Sequence, residues 1–383
     1  MALFREDSAF AEPQGPAPVV RRSVTVGWVL LAIGVVLVLI LGLTPAPYVI
    51  EMPGPVFNTL ASDQPVGDSG KATGAEQTEK AVPLISIPGQ KTYPTSGSLD
   101  MLTVASVGRP GALPSWMQVV GAWFEPSKAV IPVDVAYPPS STVKEQDAEN
   151  TALMLNSQKD AVAAALNQLG TTFPQAVSVK QVLKGTPASG RLEVGDEIVT
   201  VNGTKVGGVA SLRSLVAKSG AGRTAEIGVL RHGKSKTVEV TPVTRDGSVV
   251  LGVGVGMDYT FPFEVRIQLD KVGGPSAGMM FALGIIDKLT PGTLNGGKSV
   301  AGTGTIDNEG NVGPIGGIRQ KMFAARDAGA DYFLAPASDC GDVVGHVPDG
   351  LRVFSVKTLG DSLDVMKALR TSGDLDKLPR CHA

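Results

Sequence analysis

No charged residue occurs between Ser23 and Ile50, and the run from Val24 to Leu43 is apolar apart from Thr25 and the glycines. As a helix, a run of that length crosses the ~30 Å hydrocarbon core of a bilayer. Such a run is either a membrane span or a cleaved leader. It is too long for an ordinary leader, and only the weak candidate Thr44-Pro45-Ala46 resembles a cleavage site at its end. The expectation is therefore a transmembrane helix over residues 23–43. Arg21 and Arg22 precede it, and the next basic residue is Lys71. The positive-inside rule then puts residues 1–22, polar and Pro-rich, in the cytoplasm as a disordered tail. Everything after about Thr44 is expected outside the cell membrane.

At 383 residues, the chain has room for two or three domains. A formal charge of −2 gives no electrostatic footprint for nucleic acid. With 47 glycines and 27 prolines, loops and strands are expected to outweigh long coiled coils. Cys340 and Cys381 sit in no metal-binding or Cys-x-x-Cys spacing, so no metal site is implied. They are expected to be unrelated thiols, although an oxidising compartment would allow them to pair. His232, His346 and His382 are scattered and follow no catalytic or metal motif.

Beyond the span, prolines in Pro47–Val56 forbid continuation of the helix, and residues 62–81 read as a loop. Val82–Ile87, Leu99–Val107 and Ala129–Val135 read as strands. Pro114–Phe124 reads as an amphipathic helix with Trp116 and Trp123 on one face, packing into a core rather than against lipid. Residues 144–169 form the clearest soluble helix. Glu145, Asp147 and Glu149 load its start, and Gly170 ends it. Met154, Leu155, Ala161, Val162, Ala165, Leu166 and Leu169 form its packing stripe. Residues 44–170 are thus an α/β region.

From Val177 to Val243 the pattern is a small β module. Ile198–Val201 and Thr204–Val206 flank a tight Asn202-Gly203 turn, a short helix covers Leu212–Ala217, and strands cover Ala225–Leu230 and Thr237–Val243. The series Gly185-Thr186-Pro187-Ala188, Leu192, Gly195-Asp196-Glu197-Ile198 and Val201-Asn202-Gly203 resembles bacterial PDZ domains, expected here over 171–244. That resemblance implies binding of extended chain ends by strand addition. Asp196 is expected to brace a turn. No clear Gly-Leu-Gly-Phe-type carboxylate loop is found, and Leu169–Phe173 fits poorly.

Two stretches near the C-terminus carry chemistry. In Val272-Gly273-Gly274-Pro275-Ser276-Ala277-Gly278, a glycine-rich turn delivers a serine to the start of an apolar helical run. Such a serine is ordinarily a cap, but the same free N–H groups suit an oxyanion. In Gly316-Gly317-Ile318-Arg319-Gln320-Lys321-Met322, helical spacing puts Ile318, Lys321, Met322 and Ala325 on one inward face, with Arg319, Gln320 and Arg326 free to point elsewhere. A lone lysine ordinarily snorkels to water. A buried one loses affinity for its proton: a fall to about 7 requires roughly 4–5 kcal/mol and yields a neutral amine able to act as a base.

Residues from about Asp246 to Leu369 resemble the proteolytic domain of the Lon family. The matching segments are Gly274–Gly278, Thr303–Ile306, Pro314–Lys321, Ala324-Ala325 and Ala328-Gly329. The resemblance implies Ser276 as nucleophile, Lys321 as general base, Thr303 as the residue that orients the lysine, and assembly into a ring. Where Lon itself usually has Asp, three residues before the serine, this chain has Gly273. Membrane-anchored, PDZ-containing Lon-like proteases share that change.

Gly292–Ser299 spells a P-loop pattern, but it follows a helix and precedes a strand, the inverse of what phosphate binding needs. No cofactor and no ATP requirement are expected. The combined expectation is an α+β multidomain chain: a membrane anchor, a PDZ module, a Lon-type domain over 245–372, and a mobile tail over 373–383. Its implied activity is ATP-independent hydrolysis of protein or peptide substrates outside the membrane. A catalytically silent PDZ-bearing scaffold is the alternative.

Overall fold

The computed structural model describes residues 22–66, 82–138, 142–245, 247–269 and 272–382; the expected tail before Arg22 and most of the 62–81 loop lie outside these residues. The first element, α1 (Arg22–Leu43), leaves its apolar stretch Val26–Leu43 unburied, and that stretch is long and apolar enough to cross a membrane.

After α1 come β1 (Tyr48–Asn58), β2 (Ile85–Ser86), β3 (Ser98–Val107), α2 (Trp116–Trp123), β4 (Ala129–Pro132), α3 (Val133–Ala136) and α4 (Val143–Gln168). The β module runs through β5 (Gln175–Val182), β6 (Glu197–Val201), β7 (Thr204–Lys205), α5 (Val209–Ser219), β8 (Ala225–Arg231), β9 (Lys234–Val240), β10 (Val243–Arg245), β11 (Ser248–Val250) and β12 (Val253–Tyr259). The C-terminal part holds β13 (Arg266–Ile267), α6 (Gly278–Leu289), β14 (Ser299–Gly302), β15 (Thr305–Ile306), β16 (Val312–Gly313), α7 (Ile318–Asp327), β17 (Tyr332–Pro336), α8 (Cys340–Val343), β18 (Arg352–Val356) and α9 (Leu359–Arg370).

The main sheet has the order β18-β17-β14-β3-β1-β4. β14 pairs in parallel with β17 on one side and with β3 on the other. The 44–170 region is therefore not a separate layer ahead of the PDZ module. β1, β3 and β4 share one sheet with β14, β17 and β18, and α4 packs into the same core as α6, which holds Met154, Ala161, Val162, Ala165 and Leu166 with Phe281, Leu283 and Ile285. Leu155, expected in that stripe, is exposed. Thr142 caps α4 with a reciprocal Glu145 contact, which explains its sharp start.

The β module forms a second sheet, β12-β5-β6-β8-β9, around its own core of Val179, Ile198, Val229 and Val240. Asp196 does brace a turn: its carboxylate accepts from Glu193 N–H at 2.9 Å and from Arg231 Nε at 2.7 Å.

Three expectations change. Cys340 and Cys381 form a disulfide. The tail, expected to be mobile over 373–383, is fastened through its described residues 373–382, because Cys381 is bonded, Ser355 N–H donates to the Pro379 carbonyl at 2.9 Å, and Leu375 and Leu378 pack on the main core. Of the two tryptophans on α2, Trp116 packs on Tyr48, but Trp123 points away from any core. The Gly292–Ser299 loop runs from α6 into β14 and opens no helix; buried Asn295 holds it to the carbonyls of Ser98 and Lys298.

Candidate active site

Glycine at 317 allows α7 to start where it does. Its backbone is left-handed (φ 67°), and a Cβ there would meet Val104 Cγ2 of β3 at 2.6 Å. That close approach lays the first turn of α7 against the main sheet and turns Lys321 inward, where it is 3% exposed. Gln320, expected to face outward, is buried as well.

Ser276 lies one residue ahead of the α6 N-cap, which is Ala277. It does not cap the helix, and among the described residues its hydroxyl has no hydrogen-bond partner. Its backbone, by contrast, is pinned: the Ser276 carbonyl accepts from Gly304 N–H at 2.9 Å and from Thr303 Oγ1 at 3.0 Å. The expected supply of free N–H groups is narrower than the sequence suggests, because Met279 N–H is taken by the Gly304 carbonyl and Gly278 N–H by that of Pro275. The N–H groups of Ser276 and Ala277 remain without acceptors among the described residues.

Thr303, 1% exposed, joins the two stretches. While its hydroxyl donates to Ser276, it accepts from Lys321 Nζ at 3.2 Å. Ser276 and Lys321 line one cavity of about 620 Å³, with Glu51, Met101, Asn150, Met154 and Gly273 among its other walls. β14 pairs with Ser98 to Met101 only, so Leu102 to Ala105 of β3 form another wall of that cavity. The register shift between Pro53 and Val56 in β1 falls beside it, where the strand bends away.

Burial pushes the Lys321 amine down from 10.5 to about 8, against the opposing pull of Asp339 and Glu51. Those two acids hold the value above where burial alone would put it. Burial in turn lifts both carboxyls above their ordinary range. Asp339 is held in place by accepting from Ile315 N–H at 3.0 Å. Neither acid stands out in the sequence, although Glu51 is a lone charge in an otherwise apolar strand.

Gly273 faces α4. A Cβ there would come 2.9 Å from the Asn150 Cβ, and Gly274 N–H donates to the Asn150 carbonyl at 3.0 Å. The place where the resembled family has an acid is thus closed by α4.

A second cleft, of about 770 Å³, lies in the β module between α5, through Leu212 and Val216, and residues 249–255 at the entry of edge strand β12. The apolar-Gly-apolar run Leu251-Gly252-Val253 sits at its end. It lies after most of the module's strands, whereas Leu169–Phe173 precedes them and does not line this cleft. Asn308, buried in the β15–β16 turn, ties this module to the rest: its amide donates to Gln175 Oε1 and to the Gly207 carbonyl, both at 2.9 Å.

Comparison with known proteins finds two domain families along the chain. Residues 144–241 match the PDZ domain family, and residues 270–369 match the Lon protease C-terminal proteolytic domain. The PDZ match takes in α4. The archaeal Lon protease of Methanothermobacter thermautotrophicus is 28% identical over 226 residues, 57% of this chain and 34% of the relative. The Lon protease of Azorhizobium caulinodans is 26% identical over 274 residues, 68% of this chain and 31% of the relative. The chain thus spans about a third of the length of these curated relatives. The PDZ domain of the SdrC-like protein of Listeria innocua is 21% identical and covers 21% of this chain and 92% of its own, with a TM-score of 0.20. This chain joins a PDZ domain to a proteolytic domain of the Lon family.

Proposed function

We propose that the chain is a membrane-anchored serine endopeptidase in which Ser276 is the nucleophile and Lys321 its general base. The observation that carries this reading is the buried Lys321 amine, bonded to Thr303 within the cavity that Ser276 shares. A neutral amine has two N–H donors and one lone pair. Thr303 accepts from one donor, which leaves the lone pair for the Ser276 proton.

In the proposed reaction the Ser276 oxygen attacks the scissile carbonyl and Lys321 takes its proton. The Ser276 and Ala277 N–H groups hold the oxyanion, and the lysine returns the proton to the leaving amine. Water then hydrolyses the acyl-enzyme by the same route. The Thr103–Ala105 wall of the cavity suits an extended substrate added as a strand, and the PDZ cleft suits capture of unfolded protein chains. No step calls on ATP.

The PDZ and proteolytic parts are proposed to lie outside the membrane. Charge around α1 favours that orientation, and the Cys340–Cys381 disulfide suits an oxidising compartment. Assembly into a ring is proposed from the family likeness.

The test is cleavage of an unfolded protein by the purified chain, without nucleotide. Ser276→Ala and Lys321→Ala should each abolish it. Retained cleavage in either variant sinks the dyad, and no cleavage by the wild-type chain favours a silent scaffold.

A further inference from the structure

α2 and α3 both begin where α1 ends. Trp116 N–H donates to the Thr44 carbonyl at 3.3 Å, and Val133 N–H donates to the Pro47 carbonyl at 3.0 Å. Gly42 and Leu43, in the last turn of α1, share a shallow cleft with Met117 and Gln118. Trp116 packs edge-on against Tyr48, with ring centroids 5.7 Å apart, and Ala46, Ile50, Val119 and Ala122 complete a small core that fixes α2.

That core leaves large apolar groups uncovered at the end of α2 and in α3. Trp123 is 59% exposed, Phe124 82% and Val135 67%. Large apolar groups this exposed mark a contact surface. The elements that carry them, tied to the residues just after α1, identify the contact. α2 has 8 residues, so its far end lies about 12 Å from its start beside the span, and it stays in the interfacial layer when α2 runs along the bilayer surface. The interfacial layer of a bilayer extends about 5–8 Å beyond the hydrocarbon core, and tryptophan is enriched there. The nearby charges of Glu125 and Lys128 neutralise each other at 2.8 Å.

We propose that Trp123, Phe124 and Val135 lie in the interfacial layer of the bilayer that α1 crosses, so that the folded part rests on the lipid surface beside its own anchor. The proposal rests on reading α1 as a span but is independent of the catalytic reading.

The chain has three tryptophans, Trp28, Trp116 and Trp123. The test uses the whole chain in phosphatidylcholine vesicles carrying nitroxide-labelled lipids. Trp28→Phe with Trp116→Phe leaves Trp123 as reporter, and Trp116→Phe with Trp123→Phe leaves Trp28 inside α1. Trp123 should emit to the blue of free tryptophan and lose about half its intensity to labels near the headgroup, and less to labels at the bilayer centre. A quenched Trp28 beside an unquenched Trp123 overturns the interfacial contact and leaves the anchor standing. Blue emission from Trp123 without quenching shows cover by a second copy of the chain, which also overturns it. If Trp28 too escapes quenching, α1 is not a span and the proposal falls with it.

Discussion

The Lys321 amine lies 3.2 Å from the Thr303 hydroxyl, which itself donates to the Ser276 backbone. One hydroxyl thus fixes the proposed base relative to the loop that carries the proposed nucleophile. Thr303→Val keeps the shape and removes the bond, and should lower kcat by about 10- to 100-fold with little change in KM. Thr303→Ser should restore most of it. Equal loss in both variants would show that the methyl group, not the hydroxyl, matters.

The same lysine sets a pH dependence. Its amine holds a proton up to about pH 8, so roughly a tenth is free at pH 7. kcat/KM should therefore rise with pH and level off above about 8. Asp339 and Glu51 favour the ammonium form. Asp339→Asn, which keeps an oxygen for the Ile315 N–H, and Glu51→Gln should each move the rising limb to lower pH. A limb that stays in place or moves up would remove these acids from the account.

Lys321 also carries a cost in stability. In the unfolded chain its amine titrates near 10.5, and in the fold near 8. Between those values the unfolded chain binds more protons, so folding strengthens as pH rises through that window, and below pH 8 the full penalty stands. The penalty is about 3 kcal/mol. Lys321→Met should therefore abolish cleavage yet stabilise the fold at pH 7 by roughly 2–3 kcal/mol, read by denaturant unfolding. Destabilisation would mean that the buried amine is better solvated than its surroundings indicate.

Placing an acid at Gly273 should not restore a relative's behaviour. Its Cβ would press on Asn150 at 2.9 Å, so Gly273→Asp should cost about 1–3 kcal/mol and distort the loop that carries Ser276. Asn150→Gly in the same chain should recover part of the lost activity. If Gly273→Asp alone is fully active, α4 yields more readily than its packing implies.

The Cys340–Cys381 bridge closes a loop with a sequence separation of 41. By loop entropy its removal should cost about 4 kcal/mol, so Cys340→Ala with Cys381→Ala should unfold at lower denaturant than the oxidised parent. A reducing agent should lower the parent to the level of the variant.

Much of this was legible along the chain, because local signals carry it. The acidic start of α4, the Asn202-Gly203 turn and the apolar face holding Lys321 each depend on neighbours a few residues apart. What escaped depends on distant pairing. Glu51 lines the Lys321 cavity from β1, and Asp339, accepting from Ile315 N–H, acts on Lys321 from beyond β17. The inclusion of β1 and β3 in the sheet of β14 leaves no mark in either segment. Trp123 was misplaced because a spacing of seven identifies a helical face but not what lies opposite it.

The PDZ segment is inserted between two sets of strands that hydrogen-bond to each other. A polypeptide made and exported N-terminus first would present β1 and β3 long before β14, β17 and β18 arrive to complete their sheet. The inserted module could finish folding while the surrounding sheet still waits for partners. Under the proposed outward orientation, the proposed pair Ser276 and Lys321 would meet only late in export, and a half-translocated chain would carry no assembled centre with which to attack the translocation machinery or itself.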